Sequence, residues 1–234
     1  MSRFPQKAPQ ELGVLSRIGW LSQQPAEFME RILQCGQWIT VAKGARLYSV
    51  GDRSDSMYGL AEGLLDVAIP ISDDQEVVVH RATPGFWIGD GALLSDVPRT
   101  ISVEAASDAL LFQVPRAGIR RVLDASPGDW MYMHRLSTLN ATLAIKVLAE
   151  VLALPPRARF ARLLLRIASP DGSVRATQEE LGRMAGMSRA AFRRTFAVLI
   201  EAGVVRTEYG GVVICDRAEL ERQAHPVDLD QAQA

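Results

Sequence analysis

Three arginines carry the most specific chemistry in the chain. Arg189, Arg193 and Arg194 lie in the stretch T-Q-E-E-L-G-R-M-A-G-M-S-R-A-A-F-R-R-T-F-A-V-L, residues 177–199. A guanidinium is a planar fork of donors that can bond two acceptors on one guanine edge. Several on one side of a helix make a surface that can read duplex DNA, provided the other side is anchored. Phe192, Phe196 and Leu199 recur at i, i+4 and i+7 and supply the anchor. Arg189 and Arg193 lie one turn apart, as do Ala190 and Arg194, and this arc faces away from the aromatic stripe. A solvated basic face on an ordinary helical hairpin would use the same residues, and that reading stays open at this point.

The elements that must hold these arginines are legible around them. Thr177 with Glu180 forms a capping-box pattern that starts a first helix, and Leu181, Met184 and Ala185 come after it at helical spacing. Gly186 suits the left-handed residue that ends such a helix, and Ser188 can cap the second. Gly203 stops the second helix. Strand-like residues 204–207 and 212–214 then flank Glu208-Tyr209-Gly210-Gly211, a hairpin signal. A helix–turn–helix succeeded by a hairpin is a winged helix. Upstream, residues 159–168 read as an amphipathic helix, and Pro155-Pro156 marks a domain boundary. The tail after Ala218 reads as polar and prone to fray.

Charge supports a polyanion partner for this region. The whole chain has a net charge of −1, but residues 157–222 hold twelve arginines, no lysine and eight acids, which is +4; the remaining 14 bases and 19 acids give −5. Hydrophobic content of 48% and charge of 23% are those of an ordinary globular protein, and 234 residues suffice for two domains. Cys35 and Cys215 stand far apart without metal spacing, so a cysteine-ligated iron–sulfur or zinc site is not expected. His80, His134 and His225 are isolated, which argues against haem. No apolar run reaches the roughly 20 residues of a membrane span. The N-terminal residues lack the apolar core of a signal peptide. A cytoplasmic protein without a membrane partner is the expectation. No nucleophile–histidine–acid set is present, so enzymatic activity is not expected.

The first half has a different texture. Residues 1–24 read as a loose arm or as a helix packed on the next domain, and residues 25–34 read as a helix. Short β-branched runs at 38–41, 46–50, 57–61, 64–69, 77–80, 87–88, 100–105 and 110–114 are separated by turn signals, including Ser72-Asp73-Asp74. Many short strands at this spacing predict a sandwich or barrel. Residues 116–125 read as a helix, and a long one runs over 129–154. Leu136, Leu139, Leu143, Val147 and Val151 recur every three or four residues on it, while Ile145, Leu148 and Leu152 lie on other sides. So apolar a helix must be buried on more than one face. One face fits the barrel and another a second copy of the chain; burial in a monomer's own core satisfies the same pattern.

Taken together, the chain resembles the CRP/FNR family of bacterial transcription regulators over residues 25–222. Three segments carry the resemblance: Y-S-V-G-D-R-S-D-S-M-Y-G-L-A-E-G (48–63), like the strand–turn–strand of a cyclic-nucleotide-binding barrel; G-D-G-A-L-L-S-D-V-P-R-T (89–100), like its phosphate-binding cassette; and the helix–turn–helix, at Gly186, Ser188, Arg189 and Arg194. The implied fold is α+β. An N-terminal antiparallel β-barrel or jelly roll (25–126) leads into a long dimerisation helix (127–154), a winged helix–turn–helix (155–222) and a tail (223–234). The implied function is a homodimer that binds a two-fold symmetric DNA operator and influences RNA polymerase, with Leu136, Leu139, Leu143, Val147 and Val151 in the dimer interface. Arg189 and Arg194 would read base edges, Arg193 a base or a phosphate, Ser188 a phosphate unless it only caps, and Thr177 and Gln178 the DNA backbone. Ala190 stands where the family carries glutamate, so contact with a cytosine amino group is lost and the operator should differ there.

The cassette implies an effector, cAMP or cGMP. Gly89, Gly91 and Ala92 would let backbone amides approach a phosphate, Arg99 would neutralise it, Thr100 would add a hydroxyl, and Asp90 would accept from the ribose. Asp90 is one methylene shorter than the family's glutamate. The positions that meet the adenine in cyclic-AMP-binding members fall on Ala144 and Ile145, whose side chains cannot hydrogen-bond; Thr142 is near but displaced. A cyclic nucleotide with altered base preference, a different small effector, and no effector, with Asp90 and Arg99 as a structural ion pair, all remain open. So does a regulatory module that controls a partner protein without binding DNA.

Overall fold

The computed structural model of the protein describes residues 13–72 and 75–225, and the chain divides into two compact units between Leu143 and Ala144. The arm expected over 1–24 is described from residue 13, the turn at 72–74 only at Ser72, and the tail over 223–234 only to residue 225; the rest of these segments lies outside the described residues.

In the first unit α1 (Ala26–Gln34) precedes β1 (Gln37–Val41), β2 (Arg46–Tyr48), β3 (Ser56–Glu62), β4 (Leu65–Ser72), β5 (Gln75–Ala82) and β6 (Trp87–Ile88). A short helix α2 (Asp90–Ser95), β7 (Ser102–Ala105), β8 (Ala109–Pro115) and α3 (Arg116–Ala125) come next. The strands form two four-stranded antiparallel sheets, in the orders β1-β8-β3-β6 and β2-β7-β4-β5. The expected double-sheet barrel is therefore present. Its strand β8 is buried on both faces: Ala109 and Leu111 join Leu60, Leu65 and Val103 between the sheets, while Leu110, Phe112 and Val114 join Phe28, Ile32 and Ile119 under the helices. Period-2 alternation divides one strand between two cores. The described part of the arm is packed, with Trp20 edge-on to Trp87 at 5.4 Å and its indole N–H donating to the Tyr132 carbonyl (2.9 Å).

Helix α4 (Trp130–Ala153) is 24 residues long. Two expectations about it need correction. Leu136, assigned to the dimer stripe, is 2% exposed and packs with Met133 in the core of its own unit. And the run Pro127–Ala153 is, by length and composition alone, long and apolar enough to cross a membrane. Arg135, Lys146 and Glu150 interrupt it in sequence, which is why a count of uninterrupted apolar residues passes over it. Its most exposed apolar residues are Ile145 (66%), Leu148 (57%) and Leu152 (77%), at three- and four-residue spacing; Leu139 and Val151 are about half exposed, and Leu143 and Val147 are intermediate.

The second unit comprises α5 (Pro156–Ile167), β9 (Ser173–Val174), α6 (Gln178–Met184), α7 (Arg189–Glu201), β10 (Val205–Glu208), β11 (Gly211–Ile214) and α8 (Arg217–Ala224). Helix α5 begins at Pro156 rather than at 159 because proline is preorganised for the first helical position. The hairpin gains a third strand, β9, through Val174↔Val212. The polar tail is corrected: α8 is a helix, capped by the Asp216 carboxylate, which accepts from the Glu219 N–H (2.9 Å). Leu220 and Ala224, four residues apart, bury in the core with Phe160, Phe192 and Phe196. Two buried residues in an otherwise polar octapeptide are too few for hydrophobic patterning to reveal.

Candidate nucleic-acid interface and effector site

Helix α6 starts on a complete capping box. The Glu180 N–H donates to Thr177 Oγ1 (3.2 Å), and the Thr177 N–H and hydroxyl both donate to Glu180 Oε2 (2.7 Å each). The helix ends at Gly186 in the left-handed region (φ +60°), with the Gly186 N–H bonded to Arg183 O and the Met187 N–H to Gly182 O (3.0 Å each). This paired closure satisfies two otherwise orphaned carbonyls. One residue later Ser188 Oγ accepts from the Ala191 N–H (3.2 Å) and opens α7. Ser188 is thus a helix cap.

The inner face of α7 is fixed by three rings. Phe192 stacks on Phe196 with centroids 5.3 Å apart, and Phe160 of α5 meets both edge-on at 5.3 and 6.1 Å. Arg189, Ala190, Arg193 and Arg194 are exposed on the outer face, and Thr177 and Gln178 are exposed at the start of α6. Among the described residues none of these three arginines joins an ion pair, whereas Arg162, Arg166, Arg206, Arg217 and Arg222 of the same unit each do. The hydroxyl of Thr177 is committed to Glu180, so what it offers a ligand is position rather than a free donor.

The cassette residues are brought together in the first unit. Gly89 has φ +95°, and a Cβ there would lie 2.7 Å from Arg99 Nη1. Arg99, 3% exposed, donates from Nη1 to Gly89 O (3.0 Å) and from Nη2 to Ser56 O (2.5 Å). Its guanidinium carbon lies 4.2 Å from the centroid of the Tyr48 ring and 5.9 Å from that of Tyr58. Asp90, 4% exposed, accepts from Ser137 Oγ (2.6 Å) and Asn140 Nδ2 (2.9 Å), both on α4. Arg99 and Asp90 therefore engage separate partners, and the alternative of a structural ion pair between them is corrected. Gly91 and Thr100 are exposed and Ala92 partly so; a Cβ on Gly91 would meet nothing within 4 Å.

Ser137 and Asn140 are not among the residues that the sequence pattern singles out. The available signal was two hydrogen-bonding side chains one turn apart on an apolar helix. Tyr48 was also missed. Burial raises its pKa, so its hydroxyl stays a donor at neutral pH. Tyr48 OH and Arg99 Nε are both buried donors without an acceptor among the described residues. Two such donors at one arginine suit an anionic oxygen, so a cyclic phosphate fits this end of the site. The nucleoside end is less well matched, because the Asp90 carboxylate is already bonded through both oxygens.

Residues 38–126 match the family model of the cyclic nucleotide-binding domain, and residues 158–223 that of the Crp-like helix-turn-helix domain. The chain is 28% identical over 194 residues to the transcriptional regulator LdrP of Thermus thermophilus, covering 78% of this chain and 94% of LdrP. It is 21% identical over 220 residues to the CRP-like cAMP-activated global transcriptional regulator of Mycobacterium tuberculosis, covering 90% and 98%. Among solved structures, that of a putative cAMP-binding regulatory protein from Silicibacter pomeroyi superposes with a TM-score of 0.70 at 18% identity, over 92% of this chain and 99% of the other.

Proposed function

Since the chain belongs to the CRP/FNR family of bacterial transcription regulators, we propose that it reads a two-fold symmetric operator as a homodimer through Arg189, Arg193 and Arg194. Transcription regulation through DNA binding is the family's shared activity; the residue roles, the dimer and the effector are the reading offered here. The observation that carries it is the contrast within α7. One face is locked by Phe160, Phe192 and Phe196, and the other presents three guanidinium groups that join no ion pair among the described residues. Arg189 and Arg194 contact base edges in the major groove, Arg193 a base or a phosphate, and Thr177 and Gln178 the DNA backbone. Dimerisation uses α4, with Ile145, Leu148 and Leu152 at the seam and Leu139, Leu143, Val147 and Val151 beside it. A second copy also accounts for the apolar surface that makes this helix resemble a membrane span. RNA polymerase as a further partner, and a cytoplasmic location beside the DNA, belong to the same reading.

The barrel binds an anionic effector at Arg99 and Tyr48. A cyclic nucleotide is supported by the domain match over 38–126 and by the cAMP named for the Mycobacterium relative. The Asp90–Ser137 and Asp90–Asn140 bonds connect the cassette to α4, the route by which effector and operator affinities become reciprocally coupled.

Selection of duplexes from a random pool tests the DNA reading. Wild-type protein should enrich a palindromic site. Arg189→Ala should weaken it by about 1–3 kcal/mol and relax one position in each half-site. An unchanged sequence preference in the variant would remove Arg189 from the reading surface. Calorimetry with cAMP and with cGMP tests the effector; heat that persists unchanged in Arg99→Ala would overturn the assignment of the cassette.

A further inference from the structure

Helix α4 ends at Ala153 and α5 starts at Pro156, so only Leu154 and Pro155 separate them. One side chain closes this joint. From the first turns of α5, the Arg159 guanidinium donates in two directions. Nη1 bonds the carbonyls of Val151 (3.2 Å) and Leu154 (3.5 Å) at the end of α4. Nε bonds Ala185 O (2.6 Å) and Nη2 bonds Gly186 O (3.3 Å), in the turn between α6 and α7. Two helix C-termini, each with a partial negative charge, thus converge on one cation. The turn they share with Arg159 is the one whose next residues, Met187 and Ser188, open the recognition helix.

The joint is braced from a second side. Glu150 of α4, with its side chain 10% exposed, accepts from Arg166 Nη1 of α5 at 2.7 Å, and Arg162 Nη1 lies 3.9 Å from its other oxygen. This pair ties α4 to α5 but does not reach the helix–turn–helix. Arg159 does, and its planar fork is what lets one residue satisfy carbonyls on both sides; a lysine ammonium has neither the reach nor the geometry.

We infer that Arg159 is a positioning residue that fixes the recognition helix relative to α4 and thereby sets the separation of operator half-sites. The inference rests on the proposed homodimer built on α4. In such a dimer the two copies of α7 must meet major grooves about one helical turn, roughly 34 Å or 10 base pairs, apart. Adding one base pair moves a half-site by about 3.4 Å and turns it by roughly 35°. Discriminating spacings one base pair apart therefore requires each recognition helix to be held to within a fraction of that displacement. A backbone joint of two residues does not provide such stiffness alone. Four hydrogen bonds from a single planar group, placed between the end of α4 and the start of α7, do.

The test is a selection with the full chain from duplex libraries in which two half-sites are separated by spacers of different length, run alongside binding to a duplex with one half-site. Wild-type protein should enrich a single spacing. Arg159→Met should keep the half-site sequence and single-half-site affinity, broaden the enriched spacings over several base pairs, and lose about tenfold in affinity for the best operator. Arg159→Lys retains the cation without the fork and should show the same broadening; it carries the test if circular dichroism shows Arg159→Met unfolded. A folded variant that selects one spacing as sharply as the wild type overturns the role of Arg159. Wild-type protein that enriches only isolated half-sites overturns the dimeric reading itself and this inference with it.

Discussion

The buried carboxylate of Asp90 offers a direct measurement of how firmly the cassette is tied to α4. Ser137→Ala removes a hydroxyl that donates to it at 2.6 Å. A hydrogen bond to a charged group contributes about 1.5–3 kcal/mol. Asp90 keeps Asn140 at 2.9 Å, so the loss should fall at the lower end, about 1.5–2 kcal/mol. In an Asp90→Ala background the same substitution removes a hydroxyl that faces no charge, and should cost about 0.5 kcal/mol or less. The cycle then gives a coupling of about 1 kcal/mol or more. Urea unfolding monitored by tryptophan fluorescence isolates the relevant transition, because all four tryptophans, Trp20, Trp38, Trp87 and Trp130, precede the boundary at Ala144. A coupling energy indistinguishable from zero would refute the view that Ser137 and Asp90 form one buried unit.

Replacing Ile145 and Leu148 together by glutamate should convert the proposed dimer to a monomer in sedimentation velocity and abolish operator binding, since burying like charges across the proposed seam costs several kcal/mol. Gly186→Ala should destabilise the second unit by about 1–2 kcal/mol through the left-handed backbone alone, because a Cβ there meets no atom within 4 Å; Gly186→Asn should cost less, and far-ultraviolet circular dichroism during thermal unfolding reads both. The Ser102 hydroxyl, and then Arg46, hold the Glu76 carboxyl below its usual pKa. Its folded value lies below its unfolded one, so the stabilisation is present above the unfolded value and is lost as pH falls through the folded value; Glu76→Gln should therefore lower Tm at pH 7 and converge on the wild type only once the pH has fallen below the folded value.

The DNA-binding unit was the more legible half in sequence because its signals are local. A capping box, a glycine at a helix end and an i, i+4, i+7 stripe each lie within one turn or two, and all appear in the structure at Thr177, Gly186 and Phe192. The eight barrel strands were legible for the same reason, as short runs between turns. What escaped depends on distance or brevity. Asp90 meets Ser137 and Asn140 across 47 and 50 residues, and no spacing rule links them. Strand β9 has two residues and needs β11 to exist. Leu136 could not be separated from Leu139 by periodicity, which places residues on faces without saying what covers each face. Arg159 was read as one more residue of an amphipathic helix, and only the folded turn shows its four acceptors.

The proposed reading face of α7 is built from arginine, and the chain has only three lysines, Lys7, Lys43 and Lys146. Acylation of lysine side chains, which weakens many DNA-binding surfaces by removing charge, therefore has no target between residue 147 and the last residue. Exhaustive acetylation of surface amines should leave the operator-reading chemistry intact, whereas a dicarbonyl reagent that consumes guanidinium groups should abolish it. Any effect of lysine acylation on operator binding would therefore arise away from α7, at Lys146 on α4 or in the first unit, and not on the face that carries Arg189, Arg193 and Arg194.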